Sequence, residues 1–499
     1  MMASAAQNAA TIPAIDAARA AQTSWRRLSP RQRIDRLLAV RRAIGTDPQR
    51  WANVCTPPQD RTNAESLAAE VAPLADAVQW LKRYGAATLK QRHAEGSRFG
   101  WLRPGSLTLV VERKPLGVVL VIGASNYPLF LLAVPALQAL AAGNAALLKP
   151  PPGGAAAAAL LHETLVVAGV DPRLCPVLAS TREAAEEAID AGVDHVVVTG
   201  SAETGRAVAR SAAERLTSCT LECSGNDAMV VLNGANLDRV AVCLAWGLML
   251  NSGATCIAPR RVILGADQID DLLRRLKPRL RARPARRITE RVAQDVVRLV
   301  GEAITAGATV EWPEKLDLTV IAERHTCPPI VLRHSANSRA LDPVDLFGPV
   351  ATLTVAETDD ERVAAANRSA YALGASVFGP PGFGEADERA RELLAGCVTL
   401  EDVIALTADA RVPFGGTGSS GYGVTRGREG LLNLTRPQAI VRRHGDWLPH
   451  LDPETAALPD LIAAMIQTQH APGLAARWRA VRRFLQAAKL HQQQKKERT

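Results

Sequence analysis

Hydrophobic positions along this chain recur in two alternating rhythms. Between residues 17 and 44, Trp25, Leu28, Ile34, Leu37, Leu38 and Val40 follow a spacing near three and four, which predicts helix. SLTLVVERKPLGVVLVI, residues 106–122, is β-like with a turn near Arg113 to Pro115. After a Gly/Asn break, a helix through Leu129 to Ala142 is followed by NAALLKP as a short strand. An alanine-rich helix at 154–168, a strand at CPVLA, a helix at REAAEEAIDAG, a strand at HVVVTG and a helix at TGRAVARSAAERL come next. Strands alternating with helices over residues 118–233 predict a doubly wound parallel sheet. A second α/β series starts near residue 225 and runs to about 416. The expected fold class is therefore α/β, with two doubly wound domains, a small bridging β-element and a helical C-terminal tail.

Composition narrows the class. At 499 residues, 47% apolar and 22% charged, the chain reads as a globular protein of more than one domain. The longest apolar region, Val118 to Leu148, is broken by Gly123, Asn126, Pro128, Pro135 and Gly143–Asn144, so no membrane span is expected. MMASAAQNAATIPAID has no basic start followed by a long apolar block, so no signal peptide is read. Eight scattered cysteines show no CxxC pair and no Cys/His metal spacing. Reduced thiols in a cytoplasmic protein, without a metal, are the expectation.

The formal charge of +9 is local. Residues 474–499 hold eight Lys/Arg and one Glu, and Arg274 to Arg287 hold eight more with no acid. Together these exceed the whole surplus, so the remaining chain is mildly acidic. The 274–287 run has no interleaved aromatic residue, which argues for solvated helix faces and against nucleic-acid binding. In the tail, Leu474, Trp478, Val481, Leu485 and Ala488 share one helical face, with Arg477, Arg479, Arg482, Arg483 and Lys489 around it. Such a helix can lie on an anionic membrane surface or pack on protein.

The chemistry is carried by NSGATCIAPRRVIL, residues 251–264, where Cys256 stands among small neighbours that leave room for approach. A thiolate can add to a carbonyl and give a hydrolysable thioester, although a buried inert thiol would also fit. PLGVVLVIGASNYPLFLLAVPALQALAAGNAALLKP, VTGSAETG, TLECSG, NSGATCIAP, LFGPV and PFGGTGSSGYG follow one another in order. Together they resemble the aldehyde dehydrogenase superfamily over roughly residues 15–440, and the NYPL and TCIAP forms resemble its class 3 branch, with fatty and aromatic aldehyde members.

The resemblance implies NAD- or NADP-dependent oxidation of a small aldehyde to its acid. It makes Cys256 the nucleophile, Glu222 the general base, and the Asn126 side chain with the Cys256 backbone N–H the oxyanion donors. Asn126 could instead cap the helix beginning near Pro128. No GxGxxG follows the first strand, but GSAETG, Gly200 to Gly205, opens a helix where N–H groups could face a pyrophosphate. By analogy Gly200, Ser201 and Gly205 contact the dinucleotide, Lys149 the adenosine ribose, Asp345 the nicotinamide ribose and Phe347 the nicotinamide. The implied domains are 1–103 with 118–224 for the dinucleotide, 225–416 for catalysis, 104–117 and 432–445 as bridging or oligomerisation strands, and 446–499 as tail. A homodimer is expected, with peripheral membrane contact through the tail suggested by fatty-aldehyde members.

Departures from the pattern leave alternatives open. Pro152 stands where an acid commonly binds the adenosine ribose, Ser224 where glycine is usual, Ala254 for Gln, Glu401 for Asn, and Asp345 for Glu. Removing the acid at 152 removes repulsion of a 2′-phosphate, so NADP becomes as acceptable as NAD. Tyr127, Phe130, Trp246, Leu250 and Ile257 suggest an apolar pocket and an apolar aldehyde. A catalytically silent relative serving as a scaffold, and an acylating coenzyme A enzyme, are the other readings; Glu222 argues against the latter.

Overall fold

The computed structural model describes residues 2–57, 60–94, 107–334, 345–382, 384–444, 449–451 and 453–497. It divides into two compact units, Met1–Leu89 with Lys114–Arg436, and Lys90–Arg113 with Pro437–Thr499.

In the first unit the run at 17–44 is two helices, Met2–Trp25 and Pro30–Thr46. They separate because Ser29 accepts from the Gln32 N–H, Gln32 accepts from the Ser29 N–H, and Pro30 occupies the first helical turn. Five strands then form a sheet in the order Gly421–Tyr422, Ser218–Cys223, His195–Gly200, Val118–Ile122, Ala145–Lys149. All neighbours are parallel except Gly421–Tyr422. Val118–Ile122 and Ala145–Lys149 are buried at every position, which is why they read as unbroken apolar runs.

Three boundaries differ from expectation. The turn near Arg113 to Pro115 is absent: strand Leu107–Pro115 runs on to Pro115, and the break falls at Leu116–Gly117. Gly117 has φ +139°, and its missing Cβ leaves room for the Asp194 carboxylate. CPVLA makes only one bridge, Leu148 to Val177, because Pro176 has no N–H with which to extend a ladder. The helix expected from Thr204 starts at Ala202, where Ser201 caps it.

A second sheet of seven strands runs Thr309–Trp312, Ile330–Arg333, Val350–Val355, Pro259–Leu264, Asp227–Val231, Gly374–Phe378, Cys397–Leu400. Only the first of these is antiparallel to its neighbour. The chain crosses between the sheets in Ser224–Asn226. In the first sheet Ile122 pairs with Lys149, and Gly200 with Cys223, so the carboxyl ends of four parallel strands share one edge. That edge is where open α/β sheets offer a crevice.

Basic residues 274–287 lie mostly on helix Ile269–Arg281. Among the described residues, six of the eight pair with acids: Arg274 and Arg275 with Asp271, Arg279 with Asp238, Lys277 with Glu311, Arg281 with Glu314, and Arg286 with Glu65.

The second unit is built on a three-stranded sheet, Arg92–Ala94, Leu107–Pro115 and Thr435–Arg443. These include the strands expected at 104–117 and 432–445, of which residues 104–106 and 445 lie outside the described residues. Two helices follow, Leu458–His470 and Leu474–Lys496. They bury Ala464, Ala480 and His491, and His491 Nδ1 lies 2.7 Å from the Thr455 hydroxyl. Leu474, Trp478 and Leu485 remain exposed. Among the described residues, no helix is long and apolar enough to cross a membrane, and all eight cysteines are free thiols.

Candidate active site

A cavity of about 590 Å³ opens at the strand edge, and Asn126, Lys149, Gly200, Ser201, Glu222, Cys256, Asp345 and Phe347 all line it. Glu222 is the penultimate residue of a buried strand, registered against Thr199 and Gly421. Its neighbour Cys223 ends the sheet, and the crossing that follows reaches the cysteine turn directly. The Gly225 N–H donates to the Cys256 carbonyl at 3.2 Å. A Cβ at Gly225 would lie 2.8 Å from that oxygen, so the close approach requires glycine.

The approach to Cys256 is a rare backbone. Asn251, Ser252 and Gly253 take successive left-handed conformations, φ +51°, +56° and +77°. Such strain persists only where surroundings over-determine it. The Asn251 amide donates to the Asn126 and Ala254 carbonyls at 3.0 and 3.2 Å. Buried Arg260 donates to the carbonyls of Gly253 and Gly348. Ala258 then closes a turn onto Thr255 at 3.1 Å, leaving Cys256 at its corner.

Asn126 is buried, and its Nδ2 donates to the Ala254 carbonyl at 3.1 Å. One N–H of that amide is thereby used and one is left. Its side chain does not cap the following helix, Phe130–Ala142. Glu70 does so from a distant segment, accepting from the Leu129 and Phe130 N–H groups at 2.7 and 2.9 Å.

Burial makes both chemical groups harder to ionise. The Cys256 thiol is pushed well up by desolvation, then by the charges of Glu222 and Asp227, with Arg426 opposing. The Glu222 carboxyl is pushed up by burial and held back by the Arg426 charge and a Thr425 hydrogen bond. Thr425 Oγ1 donates to Glu222 Oε2 at 3.0 Å. The Arg426 guanidinium stands 4.0 Å over the Phe414 ring and donates to the Thr407 carbonyl at 2.7 Å. Phe414 belongs to a small buried cluster against which Cys256 packs. A fixed cation therefore sits behind two groups that must each become anionic.

The rest of the cavity suits a dinucleotide. Asp345 is half-buried, its Oδ1 is shielded from solvent without a hydrogen-bond partner, and desolvation pushes its carboxyl up while a Ser224 hydrogen bond opposes this. A ribose hydroxyl is the kind of donor that this atom lacks. Ser201 caps helix Ala202–Ala213 by accepting from the Thr204 N–H at 3.2 Å, and the helix N-terminus lies at the cavity wall. Lys149, Pro151, Pro152, Arg206 and Arg291 complete that wall. Gly205 does not line the cavity. It sits one turn into the helix, where a Cβ would lie 2.4 Å from Cys223 Sγ, so glycine there serves helix-to-strand packing.

The model of the aldehyde dehydrogenase family matches residues 1–440. The chain belongs to the aldehyde dehydrogenase family. It is 28% identical over 447 residues to a 4,4'-diapolycopene aldehyde oxidase of Methylomonas sp, covering 87% of this chain and 82% of that protein. It is 30% identical over 350 residues to the dimeric NADP-preferring aldehyde dehydrogenase of Mus musculus, covering 67% and 74%. The fold matches that of a succinic semialdehyde dehydrogenase from Streptococcus pyogenes solved with NADP+, with a TM-score of 0.78, 21% identity, and 87% and 94% of the two chains covered. Aldehyde dehydrogenases are oxidoreductases.

None of the five expected pocket residues, Tyr127, Phe130, Trp246, Leu250 and Ile257, lines the cavity: Ile257 joins the Phe414 cluster, and Phe130 lines a separate, smaller cavity beside Arg426. Trp246 instead packs against the core of the second sheet. Glu401 holds backbone, accepting from the Gly379 N–H at 2.7 Å. Sequence reasoning missed Thr425, Arg426, Arg260, Asn251, Arg61 and Glu70. Arginines read as solvated, even Arg260 on the buried strand Pro259–Leu264, and none of these residues carries a periodic signal.

Proposed function

We propose that this chain oxidises an apolar aldehyde, aliphatic or aromatic, to the carboxylic acid with NAD or NADP. The observation that carries the reading is the shared cavity of Cys256, Glu222 and Asn126 at the strand edge. Once its proton has been lost, the Cys256 thiolate bonds the aldehyde carbon, and the resulting alkoxide is held by the free Asn126 N–H and the Cys256 backbone N–H. A nicotinamide held beside Phe347 would supply the hydride acceptor, which leaves the carbon on Cys256 Sγ as a thioester. Glu222 takes a proton from water, the hydroxyl adds to the thioester carbon, and the C–S bond breaks to release acid and thiol. Thr425 and Arg426 help Glu222 stay ionised for that step.

Lys149, Gly200 and Ser201 would hold the adenosine and phosphate portion, Asp345 the nicotinamide ribose, and Phe347 the nicotinamide. The first sheet accordingly serves the dinucleotide and the second carries the nucleophile. Pro152 offers no acid to repel a 2′-phosphate, which supports NADP beside NAD. The apolar cluster of Ile257, Leu373 and Phe414, against which Cys256 packs, supports an apolar substrate.

The class 3 resemblance supports a homodimer. The exposed Leu474, Trp478 and Leu485, ringed by arginines, support a peripheral contact with an anionic membrane. The test is a panel of aliphatic and aromatic aldehydes with each nicotinamide, read by reduced-cofactor absorbance. Absorbance growth that vanishes in Cys256→Ala is expected. No growth with any pair would favour a silent relative.

A further inference from the structure

We infer that Arg61 and Glu70, a buried ion pair in the segment DRTNAESLAAE, are positioning residues that set the oxyanion donor Asn126. The inference rests on the role proposed above for Asn126.

The two side chains are 1% and 0% exposed and are bonded to each other. Charged residues are almost never so deeply buried without a task or full compensation. Apart from the Cys55 thiol, which lies against Glu70, the partners found for the pair among the described residues belong to the loop that carries the amide or to the pair's own segment. Glu70 Oε2 takes both leading N–H groups of helix Phe130–Ala142, those of Leu129 and Phe130. A carboxylate at a helix start satisfies orphan donors and opposes the helix dipole. Normally a residue at the cap itself would do this, and Asn126 and Ser125 are the nearest with suitable side chains. By capping from outside, Glu70 releases the Asn126 amide from local work.

Arg61 completes the arrangement from the other side. Its Nη1 donates to the Asn126 carbonyl at 2.9 Å, where the Asn251 amide also donates at 3.0 Å. Its Nε donates to Ser66 Oγ at 3.1 Å. Its guanidinium lies 5.4 Å over the Tyr127 ring, and the Tyr127 hydroxyl is 2.7 Å from Thr255 Oγ1, one residue before the nucleophile. The backbone of Asn126 is therefore pinned by two cationic or amide donors, while its side chain is anchored once to Ala254. Both oxyanion donors, the Asn126 amide and the Cys256 N–H, are joined through this network.

A misplacement of a fraction of an ångström at such a donor is costly, because its value depends on where charge develops. Glu70→Gln keeps the shape and one acceptor but removes the counter-charge to Arg61. Arg61→Lys keeps the charge but cannot reach Glu70, Ser66 and the Asn126 carbonyl together. In the full-length protein, each is expected to lower kcat about 10- to 100-fold, with the cofactor KM unchanged. Cys256 alkylation by iodoacetamide forms no oxyanion and should stay within about twofold of wild type. In an Asn126→Ala background, Glu70→Gln should change kcat by less than about twofold, because the group it positions is gone.

Wild-type kcat in both single variants would overturn the inference. So would an equal loss from Glu70→Gln with and without the Asn126 side chain. If Asn126→Ala itself retains full activity, the role of Asn126 fails and the positioning role fails with it. Should Glu70→Gln not fold, Arg61→Lys and its combination with Asn126→Ala decide the matter.

Discussion

Removing one hydroxyl from Thr425 should move the pH dependence of turnover without touching the nucleophile. Thr425 Oγ1 donates to Glu222 Oε2 at 3.0 Å and lies 3.2 Å from the Phe414 carbonyl, so its single proton is shared. A hydrogen bond to a charged acceptor contributes roughly 1.5–3 kcal/mol, and sharing puts this one at about the lower end. Since one pKa unit equals about 1.36 kcal/mol, Thr425→Val should raise the Glu222 carboxyl by about one unit. Burial already lifts that carboxyl, and the Thr425 bond opposes the lift, so loss of the bond moves it further up. Glu222 acts as a base only when ionised. The acid limb of kcat should therefore shift to higher pH by about one unit, costing about tenfold below the limb and nothing on the plateau. Thr425→Ser should restore the limb. The assay is steady-state kcat across pH beside the pre-steady-state burst of reduced cofactor, which reports acylation and should shift less. An acid limb unmoved in Thr425→Val, or a uniform loss at every pH, would refute the reasoning.

Other consequences follow from the same geometry. Arg426→Met keeps the packing on Phe414 but removes the cation that favours both anions, so Cys256 and Glu222 should each ionise at higher pH. Alkylation of Cys256 near neutral pH should slow by about 5- to 10-fold; an unchanged rate would show that the guanidinium does not act on the thiol. Gly253→Ala adds a Cβ 2.4 Å from the Gly348 carbonyl carbon at φ +77°, where only backbone could yield. It should destabilise the protein by more than about 3 kcal/mol, whereas Gly192→Ala, at φ +87° with open space, should cost about 1–2 kcal/mol. Equal melting shifts for the two would count against a tightly packed approach to Cys256.

The sheets were legible because their strands are buried on both faces and read as unbroken runs, and the helices between them kept a clear period. What failed was local. Ser29–Pro30 splits an apparently continuous helical pattern by capping, and Pro176 denies CPVLA a ladder. Glu222 and Cys256 were placed together only by the order of the blocks. No spacing rule brings residues 34 apart to one cavity, and the cause is the inter-sheet crossing at Ser224–Asn226 with Gly225 against the Cys256 carbonyl. Arg61 and Glu70 were invisible for a related reason. Their partners lie 59 to 65 residues away in the chain, and a charged pair in a helical segment looks like a solvated face. Gly205 shows the converse: it looked like part of a phosphate loop and serves packing.

The central claim is that Cys256 and Glu222 act in succession on one carbon. Its most direct measurement is the intact mass of Glu222→Gln protein after mixing with an accepted aldehyde and cofactor. One equivalent of reduced cofactor should appear, turnover should stall, and the added acyl mass should map to the peptide bearing Cys256. Wild-type turnover by the variant, or an unmodified Cys256 while the wild-type enzyme oxidises the same aldehyde, would contradict the account.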